Sequence, residues 1–219
     1  MSKIIIFGTG DIAQIANYYF SIDSEHEVMA FTVDGKYKKN ESFEDKPVIP
    51  FEELELKFPP SEYKMFIALS YSGLNKIRAE KYNEAKKMGY ELVSYVSSKC
   101  SYMSQFKCGD NCFIFEDNTI QPFVKIGNNV TLWSGNHIGH HSILNDHIFI
   151  SSHVVVSGHC KINSYSFIGV NSTIGHQVEV GPENIIGAGA VLTKDTEKGD
   201  IYVPARSIKL EKKSNQIKL

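Results

Sequence analysis

The sequence predicts a chain of two parts, a small parallel α/β domain followed by a prism of parallel β-coils. Aliphatic residues recur at every sixth position from Ile114 to Leu192, and this repeat predicts the prism. Small residues and glycines at fixed places between them support it. Residues 1–97 instead alternate between strand-like and helix-like patterns, which is the order found in a parallel sheet covered by helices.

The first 97 residues carry this alternating pattern. An apolar run predicts a buried strand, and a glycine turn directly after it opens the first helix. The predicted elements are strands over 3–7, 28–33, 65–69 and 91–95, a helix from the glycine turn to about residue 20, and a helix over about 75–88. Ser97 and Ser98 mark the junction. We therefore predict a Rossmann-like domain over 1–97, a β-coil domain over 98–195 and a C-terminal tail over 196–219.

The six-residue repeat begins at Cys108 and keeps its register to the end of the prism. Its aliphatic positions are Ile114, Ile120, Ile126, Leu132, Ile138, Leu144, Ile150, Val156, Ile162, Ile168, Ile174, Val180, Ile186 and Leu192. A period of six fits neither an amphipathic helix nor a plain alternating strand. Three units of six close a coil of eighteen residues, with aliphatics inside and glycines relieving the corners. An ordinary β-sandwich, the alternative, does not explain so long a register.

Composition excludes several classes of function. The 219-residue chain has a formal net charge of −2 with mixed signs along its length, so we predict no nucleic-acid partner. The N-terminal apolar run 4–7 is too short for a signal peptide, and no stretch approaches the roughly 20 apolar residues of a membrane span, so we predict a cytoplasmic protein without a membrane partner. The four cysteines lack the paired spacing of a zinc site, and we expect them to be reduced and packed.

The glycine turn is the first candidate site. Gly8 and Gly10, with Ala13 three residues later, lie between a strand and a helix, where a backbone can approach a pyrophosphate. Asp34 ends the second strand and can accept a hydrogen bond from a ribose or base. A tight structural turn is the alternative. Arg78 could hold a phosphate, unless it lies on a solvated helix face. The predicted substrate contacts are Gly8, Thr9, Gly10, Asp11, Asp34, Lys36, Asn75 and Arg78.

His140 is the candidate for acid–base chemistry. With eighteen residues per coil, Pro122, His140, Gly158 and His176 form one column, in coils stacked about 4.8 Å apart. The glycine above His140 leaves room for a thioester and offers a backbone N–H to a developing oxyanion. An imidazole can accept a proton from an attacking amine near neutral pH. We predict that His140 is a general base, with a solvated corner histidine as the alternative.

Residues 187–195 combine small side chains with a lysine. Small side chains would let a pantetheine arm lie along the prism, and Lys194 or Arg206 could meet the phosphates of coenzyme A. The alternative is that these small residues only cap the prism.

These motifs together resemble the bacterial nucleotide-sugar N-acetyltransferases related to the sialic acid O-acetyltransferases. The resemblance covers the whole chain and includes Pro204-Ala205-Arg206 near its end. Segments 75–78, 135–140 and 152–158 are most similar to the enzymes that act on 4-amino-4,6-dideoxy sugars. The resemblance implies a left-handed parallel β-helix, acetyl-CoA as acyl donor, and a homotrimer with each active site between neighbouring prisms. It assigns the base to His140 and the contacts to coenzyme A to the region of Phe149, Gly158, Val170 and Ala188.

Two positions depart from the family's pattern. Many relatives carry a carboxylate directly after the catalytic histidine, where this chain has His141. The orienting group could instead be Asp146 or an acid from the adjacent subunit. Some relatives place a histidine where Phe149 stands, which weakens the assignment of that residue to the thioester.

A metal centre is another interpretation of the histidines, since some hexapeptide-repeat proteins are zinc or iron carbonic anhydrases. His140 and His176 are two coils apart, about 9.6 Å, which is too far to share a zinc at about 2 Å from each nitrogen. His141 and His159 are one coil apart, and a stacked surface pair accounts for them. We therefore predict no metal.

The sequence thus predicts direct transfer of an acetyl group from acetyl-CoA to the amine of a nucleotide-linked 4-amino-4,6-dideoxy sugar. Two alternatives remain open. One is O-acetylation of a sialic acid-type sugar by the same base, and the other is a non-catalytic nucleotide-sugar scaffold.

Overall fold

A computed structural model describes residues 2–207, 209, 211 and 213. The predicted C-terminal tail, 196–219, therefore lies partly outside the described residues. No helix in the described part of the chain is long and apolar enough to cross a bilayer.

The α/β domain is a five-stranded sheet in the order β3-β4-β2-β1-β5. Its strands are β1 (Lys3–Phe7), β2 (Glu27–Val33), β3 (Ser42–Phe43), β4 (Lys46–Pro50) and β5 (Tyr63–Ile67), and its helices are α1 (Asp11–Ile22), α2 (Leu54–Lys57) and α3 (Lys76–Lys87). Pairing is parallel except between β3 and β4. Ile4, Ile5 and Ile6 are fully buried because clusters of apolar side chains cover both faces of the sheet.

The hairpin of β3 and β4 was not predicted from the sequence. The prolines and charged residues between 44 and 50 break the alternating pattern that marks a strand. The predicted strand at 65–69 lies two residues earlier, at 63–67.

The prism has three parallel faces, each built from two-residue strands. Face 1 contains β6 (Tyr95–Val96), β8 (Phe113–Ile114), β11 (Thr131–Leu132), β14 (Phe149–Ile150), β17 (Phe167–Ile168), β20 (Ile185–Ile186) and β22 (Ile201–Tyr202). Face 2 contains β7 (Ser101–Tyr102), β9 (Thr119–Ile120), β12 (His137–Ile138), β15 (Val155–Val156), β18 (Thr173–Ile174) and β21 (Val191–Leu192). Face 3 contains β10 (Lys125–Ile126), β13 (Ile143–Leu144), β16 (Lys161–Ile162) and β19 (Glu179–Val180).

From β6 to β21, strands on each face pair with the strand eighteen residues away, as in Lys125 with Ile143 and His137 with Val155. The last pair, β20 with β22, is sixteen residues apart. All the aliphatics of the repeat from Ile114 to Leu192 lie in one buried cluster inside the prism. The predicted coil of eighteen residues and its apolar interior are confirmed.

The corner glycines have a different role from the one predicted. Columns of mostly non-glycine residues make the turns at left-handed φ near +60°, among them Asn129, His141 and Asn171. Asn and His are among the residues that adopt this conformation most readily. Glycines that follow the aliphatics are required by close packing instead. A Cβ on Gly139 would lie 2.5 Å from the carbonyl carbon of Ser157. The coils can therefore stack only where this side chain is absent.

The limits of the prism differ from the predicted ones at both ends. β6 already pairs with β8 on face 1, so the sheet of the prism begins at Tyr95 and the predicted strand 91–95 is divided between two sheets. At the other end β22, which lies in the predicted tail, pairs with β20.

Arg78 joins the two domains. It is 1% exposed, and its guanidinium donates to Thr131 Oγ1 at 2.6 Å and to the carbonyls of Asn129 and Ile148 at 3.2 and 3.1 Å. It also donates to Asn75 Oδ1 at 2.9 Å. Burial lowers the pKa of Arg78 to about 10.

The predicted roles of three residues are corrected by this interface. Asn75 is fully buried, and its Nδ2 donates to the carbonyl of Ser166 at 3.2 Å. Phe149 is 3% exposed, lies beside the Arg78 guanidinium and stacks against Phe167. In this arrangement a nucleotide cannot reach Asn75 or Arg78, and coenzyme A cannot reach Phe149. We assign all three to the contact between the domains.

Replacing Arg78 with lysine should lower the free energy of unfolding by about 3 kcal/mol. Lysine keeps the charge in the buried site but cannot reproduce the planar fork that serves four acceptors. Urea unfolding of the variant measures the loss. Arg206→Lys is the matched control, because Arg206 is exposed and should change stability by less than about 0.5 kcal/mol. Equal stabilities of the two variants would contradict a central role for Arg78.

Candidate functional site

His140 lies at the corner between faces 2 and 3, directly beneath Gly158. A Cβ on Gly158 would lie 2.7 Å from both Cε1 and Nε2 of His140. The backbone supports this stacking, since His159 N–H donates to the carbonyl of His140 at 2.8 Å. His140 is exposed while Gly158 is buried. The Nε2 edge of the imidazole therefore faces the backbone of Gly158, which has no side chain there, as the eighteen-residue column predicts. We call this surface of exposed backbone the ledge.

The amide of Gly158 is a free donor at this ledge. Within the described residues, no backbone or side-chain acceptor pairs with Gly158 N–H, although its carbonyl accepts from Gln177 at 3.1 Å. A buried amide without a partner is costly, so such groups are usually satisfied by a ligand, a water or an ion. The geometry therefore leaves a hydrogen-bond donor next to the proposed base.

The imidazole of His141 contacts that of His140. The two Nδ1 atoms are 3.1 Å apart, and His141 turns the corner at φ +60°. The backbone of His140 is held in turn, since its N–H donates to Gln121 Oε1 at 2.9 Å. His141 thus occupies the position that the resemblance gives to a carboxylate, and it reaches the nitrogen of His140 that faces away from Gly158.

Asp146 does not orient His140 within one chain. It lies at the next corner, between faces 3 and 1, where its Oδ1 accepts from the backbone N–H of Asn128 at 2.6 Å and from Asn128 Nδ2 at 3.2 Å. Six residues along the coil carry the chain to another corner of the prism. The prediction that Asp146 assists the base is therefore corrected.

Four histidine rings gather at the corner of His140. The rings of His141 and His159 stack at 4.7 Å with an interplanar angle of 8°, as predicted for a surface pair. The rings of His140 and His176 are 6.4 Å apart, closer than the two-coil spacing suggests, because the side chains lean toward each other. Desolvation and repulsion from the three neighbouring imidazoles lower the pKa of His159. This favours its neutral form.

The residues predicted to contact coenzyme A lie along two corners of the prism. Lys194 is exposed and continues the column of His140, three coils or about 14 Å above it. Val170 and Ala188 are exposed vertical neighbours at the corner between faces 1 and 2. They are thus at the opposite edge of face 2 from His140.

A cavity of about 430 Å³ opens at the glycine turn of the α/β domain. Thr9 and Gly10 form one side of it, at the N-terminus of α1. Gly8 is held at φ +124°, and a Cβ there would lie 2.8 Å from the carbonyl oxygen of Ala68. Only glycine fits both constraints. Asp11 is exposed in the first turn of α1.

The rest of this cavity comes from the end of β2, from residues 37–43, for which the sequence predicted no element, and from β4. Its further lining residues are Val33, Tyr37, Lys39, Asn40, Ser42, Phe43 and Val48. The sequence did contain a signal for this part of the cavity. It is the run of aromatic, basic and amide side chains at 37–43, which follows a strand that ends at the same edge of the sheet as the glycine turn.

Of the eight predicted substrate contacts, only Thr9 and Gly10 are in this lining. Asp34 and Lys36 are among those outside it. The carboxylate of Asp34 pairs with Lys81 Nζ at 2.7 Å, and both side chains are 14% exposed. Lys36 lies over the ring of Tyr37 at 4.9 Å. Asp34 thus bonds within the domain instead of facing the cavity, because Lys81 on α3 reaches its carboxylate.

Sequence comparison identifies the repeats. The profile of the bacterial transferase hexapeptide family (six repeats) matches residues 159–194. Comparison with curated proteins gave no significant match.

Solved structures share the fold over nearly the whole chain. The acetyltransferase domain of PglB from Neisseria gonorrhoeae FA1090 is 20% identical, with a TM-score of 0.79 over 95% of this chain and 100% of that one. A mutant of perosamine N-acetyltransferase from Caulobacter crescentus, in complex with CoA and GDP-perosamine, is 19% identical, with a TM-score of 0.78 over 94% and 96%. WeeI from Acinetobacter baumannii AYE is 17% identical, with a TM-score of 0.78 over 93% and 97%. The predicted fold class, an α/β domain followed by a left-handed parallel β-helix, is confirmed.

Proposed function

We propose that this chain transfers the acetyl group of acetyl-CoA to the amine of a nucleotide-linked sugar. The observation that carries the proposal is the pairing of His140 with the free amide of Gly158 at one corner of the prism. Acyl transfer to an amine needs both a proton acceptor and an oxyanion donor. The likeness to acetyltransferases, one of them bound to CoA and GDP-perosamine, supports the same chemistry.

The two nitrogens of the His140 ring have different roles in the proposed reaction: Nε2 faces Gly158, and Nδ1 contacts His141. As the sugar nitrogen attacks the thioester carbonyl, a C–N bond forms and Nε2 takes the proton from the amine. The carbonyl oxygen becomes an oxyanion, which Gly158 N–H meets. Collapse of the intermediate breaks the C–S bond and releases CoA thiolate. His140 must therefore start with its proton on Nδ1, and His141 Nδ1, 3.1 Å away, is the acceptor that holds that tautomer.

The substrates are held by different parts of the molecule. The cavity beside Thr9 and Gly10 takes the nucleoside diphosphate, with its phosphates at the N-terminus of α1. Coenzyme A lies along the prism near Val170, Ala188 and Lys194. Val170 and Ala188 lie at the opposite edge of face 2 from His140. We therefore propose a homotrimer in which the corner of one prism that carries Val170 and Ala188 lies against the corner of its neighbour that carries His140.

A thiol-release screen tests the function. Acetyl-CoA is offered with UDP-, dTDP- and GDP-linked 4-amino-4,6-dideoxy sugars, and each is paired with the matching 4-hydroxy sugar. Release of CoA with an amino sugar, and not with its hydroxy partner, supports N-acetylation. Release only with hydroxy sugars would favour O-acetylation. Nucleotide binding without release from any acceptor would refute the transferase.

Replacing Lys39 with methionine should weaken binding of the nucleotide sugar by about tenfold and leave turnover at saturation nearly unchanged. Lys39 lines the cavity, where its ammonium group would lose its attraction to the diphosphate. Titration calorimetry with the nucleotide and the KM of the sugar measure the effect. Lys38→Met is the matched control, because Lys38 pairs with Glu41 at 2.6 Å and does not line the cavity. Equal losses in both variants would contradict this location for the phosphates.

A further inference from the structure

Three histidines at the corner of His140 lie close enough together to hold a metal ion after a small movement of their side chains. One ring nitrogen from each of His140, His141 and His159 lies within 4.8 Å of the others, and all three side chains are exposed. The His140 and His141 Nδ1 atoms are only 3.1 Å apart. His176 lies next to the group, with its ring 5.6 Å from that of His159.

These distances suit a cation that binds its ligands in a tetrahedral arrangement. Zinc binds imidazole nitrogen at about 2.0–2.1 Å, so two ligands of a tetrahedral site lie about 3.3 Å apart. The 3.1 Å pair already has this separation. The third nitrogen must approach by at most about 1.5 Å, a change within reach of staggered rotamers for an exposed side chain. Three imidazoles with a fourth position for water form a common zinc ligand set.

The backbone that carries His140, His141 and His159 is held in place by the coils of the prism. His141 and His159 occupy equivalent corners of successive coils, at φ +60° and +59°. The hydrogen bond from His159 N–H to the carbonyl of His140 locks the two coils together. Binding therefore requires movement of side chains and not of the chain.

We propose that His140, His141 and His159 bind Zn²⁺, and that the bound ion switches off acyl transfer. A metal on Nδ1 of His140 requires the ring proton to move to Nε2. No lone pair then remains on Nε2 to accept the proton of the amine, and His141 no longer holds the active tautomer. The inhibition rests on the proposed function, whereas the metal site stands on the geometry alone.

Zinc titration of the full chain tests the site without any substrate. Chelator-treated protein is titrated with Zn²⁺ by calorimetry, and Co²⁺ is used as a visible-absorption probe of tetrahedral nitrogen ligation. We expect one ion per chain, and His159→Gln should raise the Kd at least about tenfold. His26→Gln, which alters a histidine of the α/β domain, is the control and should not change the Kd. No binding, or binding that His159→Gln leaves unchanged, would overturn the site.

Inhibition is measured by chromatography of the acetylated sugar, because zinc also binds the free thiol of CoA. The zinc concentration that halves the rate should match the Kd, rise with it in His159→Gln, and the rate should recover on adding EDTA. Full activity of the zinc-loaded enzyme would overturn the switch. If metal-free protein acetylates none of the sugars in the panel, the proposed function fails, and the titration still decides the metal site.

Discussion

Replacing His140 with asparagine should lower turnover by about 10²-fold or more while the protein stays folded. Asparagine is similar in size and polarity but cannot take a proton from the amine near neutral pH. His140 is exposed and contributes nothing to the apolar interior of the prism, so the loss should appear in kcat and not in stability. Steady-state kinetics with acetyl-CoA and the best amino sugar of the panel measure it, alongside thermal unfolding.

His176→Asn is the matched control for this experiment. His176 lies in the same column, is also exposed and is two coils away from His140. It should retain most of its turnover, because the proposed mechanism gives the proton transfer to His140 and no step to His176. If the two asparagine variants lose activity equally, turnover depends on the charge of the histidine cluster and not on one specific base. If the His140 variant keeps near-normal turnover, another group removes the proton.

Replacing Gly158 with alanine should also lower turnover by about 10²-fold, without breaking the backbone. The new Cβ would lie 2.7 Å from Cε1 and Nε2 of His140, so the ring must move away from the ledge. A displacement of about 1 Å at a reacting group can cost this much. The φ of Gly158 is not in the left-handed region, so alanine adds no backbone strain of its own.

Gly127→Ala separates this effect from general overpacking. A Cβ on Gly127 would crowd Asp146, at a corner of the prism away from His140. Gly127→Ala should lose at least as much stability in urea unfolding as Gly158→Ala, because its Cβ would also lie 3.0 Å from backbone atoms of Asn145 and Asp146. Only Gly158→Ala should lose turnover. A crystal structure of Gly158→Ala with the ring of His140 in its original place, or wild-type turnover in that variant, would contradict the role of the ledge.

The repeat shows why the prism could be predicted. Each aliphatic from Ile114 to Leu192 has one environment, the interior of a coil, and the period alone decides which residues are vertical neighbours. The stacking of His140 under Gly158 follows from this count. The role of the corner glycines was predicted wrongly. A sequence does not distinguish a glycine that is needed for a positive φ from one that is needed because a neighbouring backbone packs closely against it.

The misassigned residues share a different cause. Arg78 and Asp34 were assigned from their chemistry and from the helix or strand that carries them, and Phe149 was assigned from the family resemblance. Arg78 and Phe149 meet partners from the other domain, and Asp34 meets Lys81 on α3. Long-range contacts of this kind carry no periodic signal.

The sequence by itself determined the period, the order of the two domains and the column that contains the proposed base. Only the tertiary structure decided that Arg78 is a buried link between the domains, that residues 37–43 line the cavity beside Thr9 and Gly10, and that the rings of His141 and His159 lie close to that of His140. The physical reason is that, in a regular repeat, the number of residues between two positions fixes the distance between them in the structure. Docking of one domain on another, and the rotation of side chains at a corner, depend on packing between residues that are far apart in the chain.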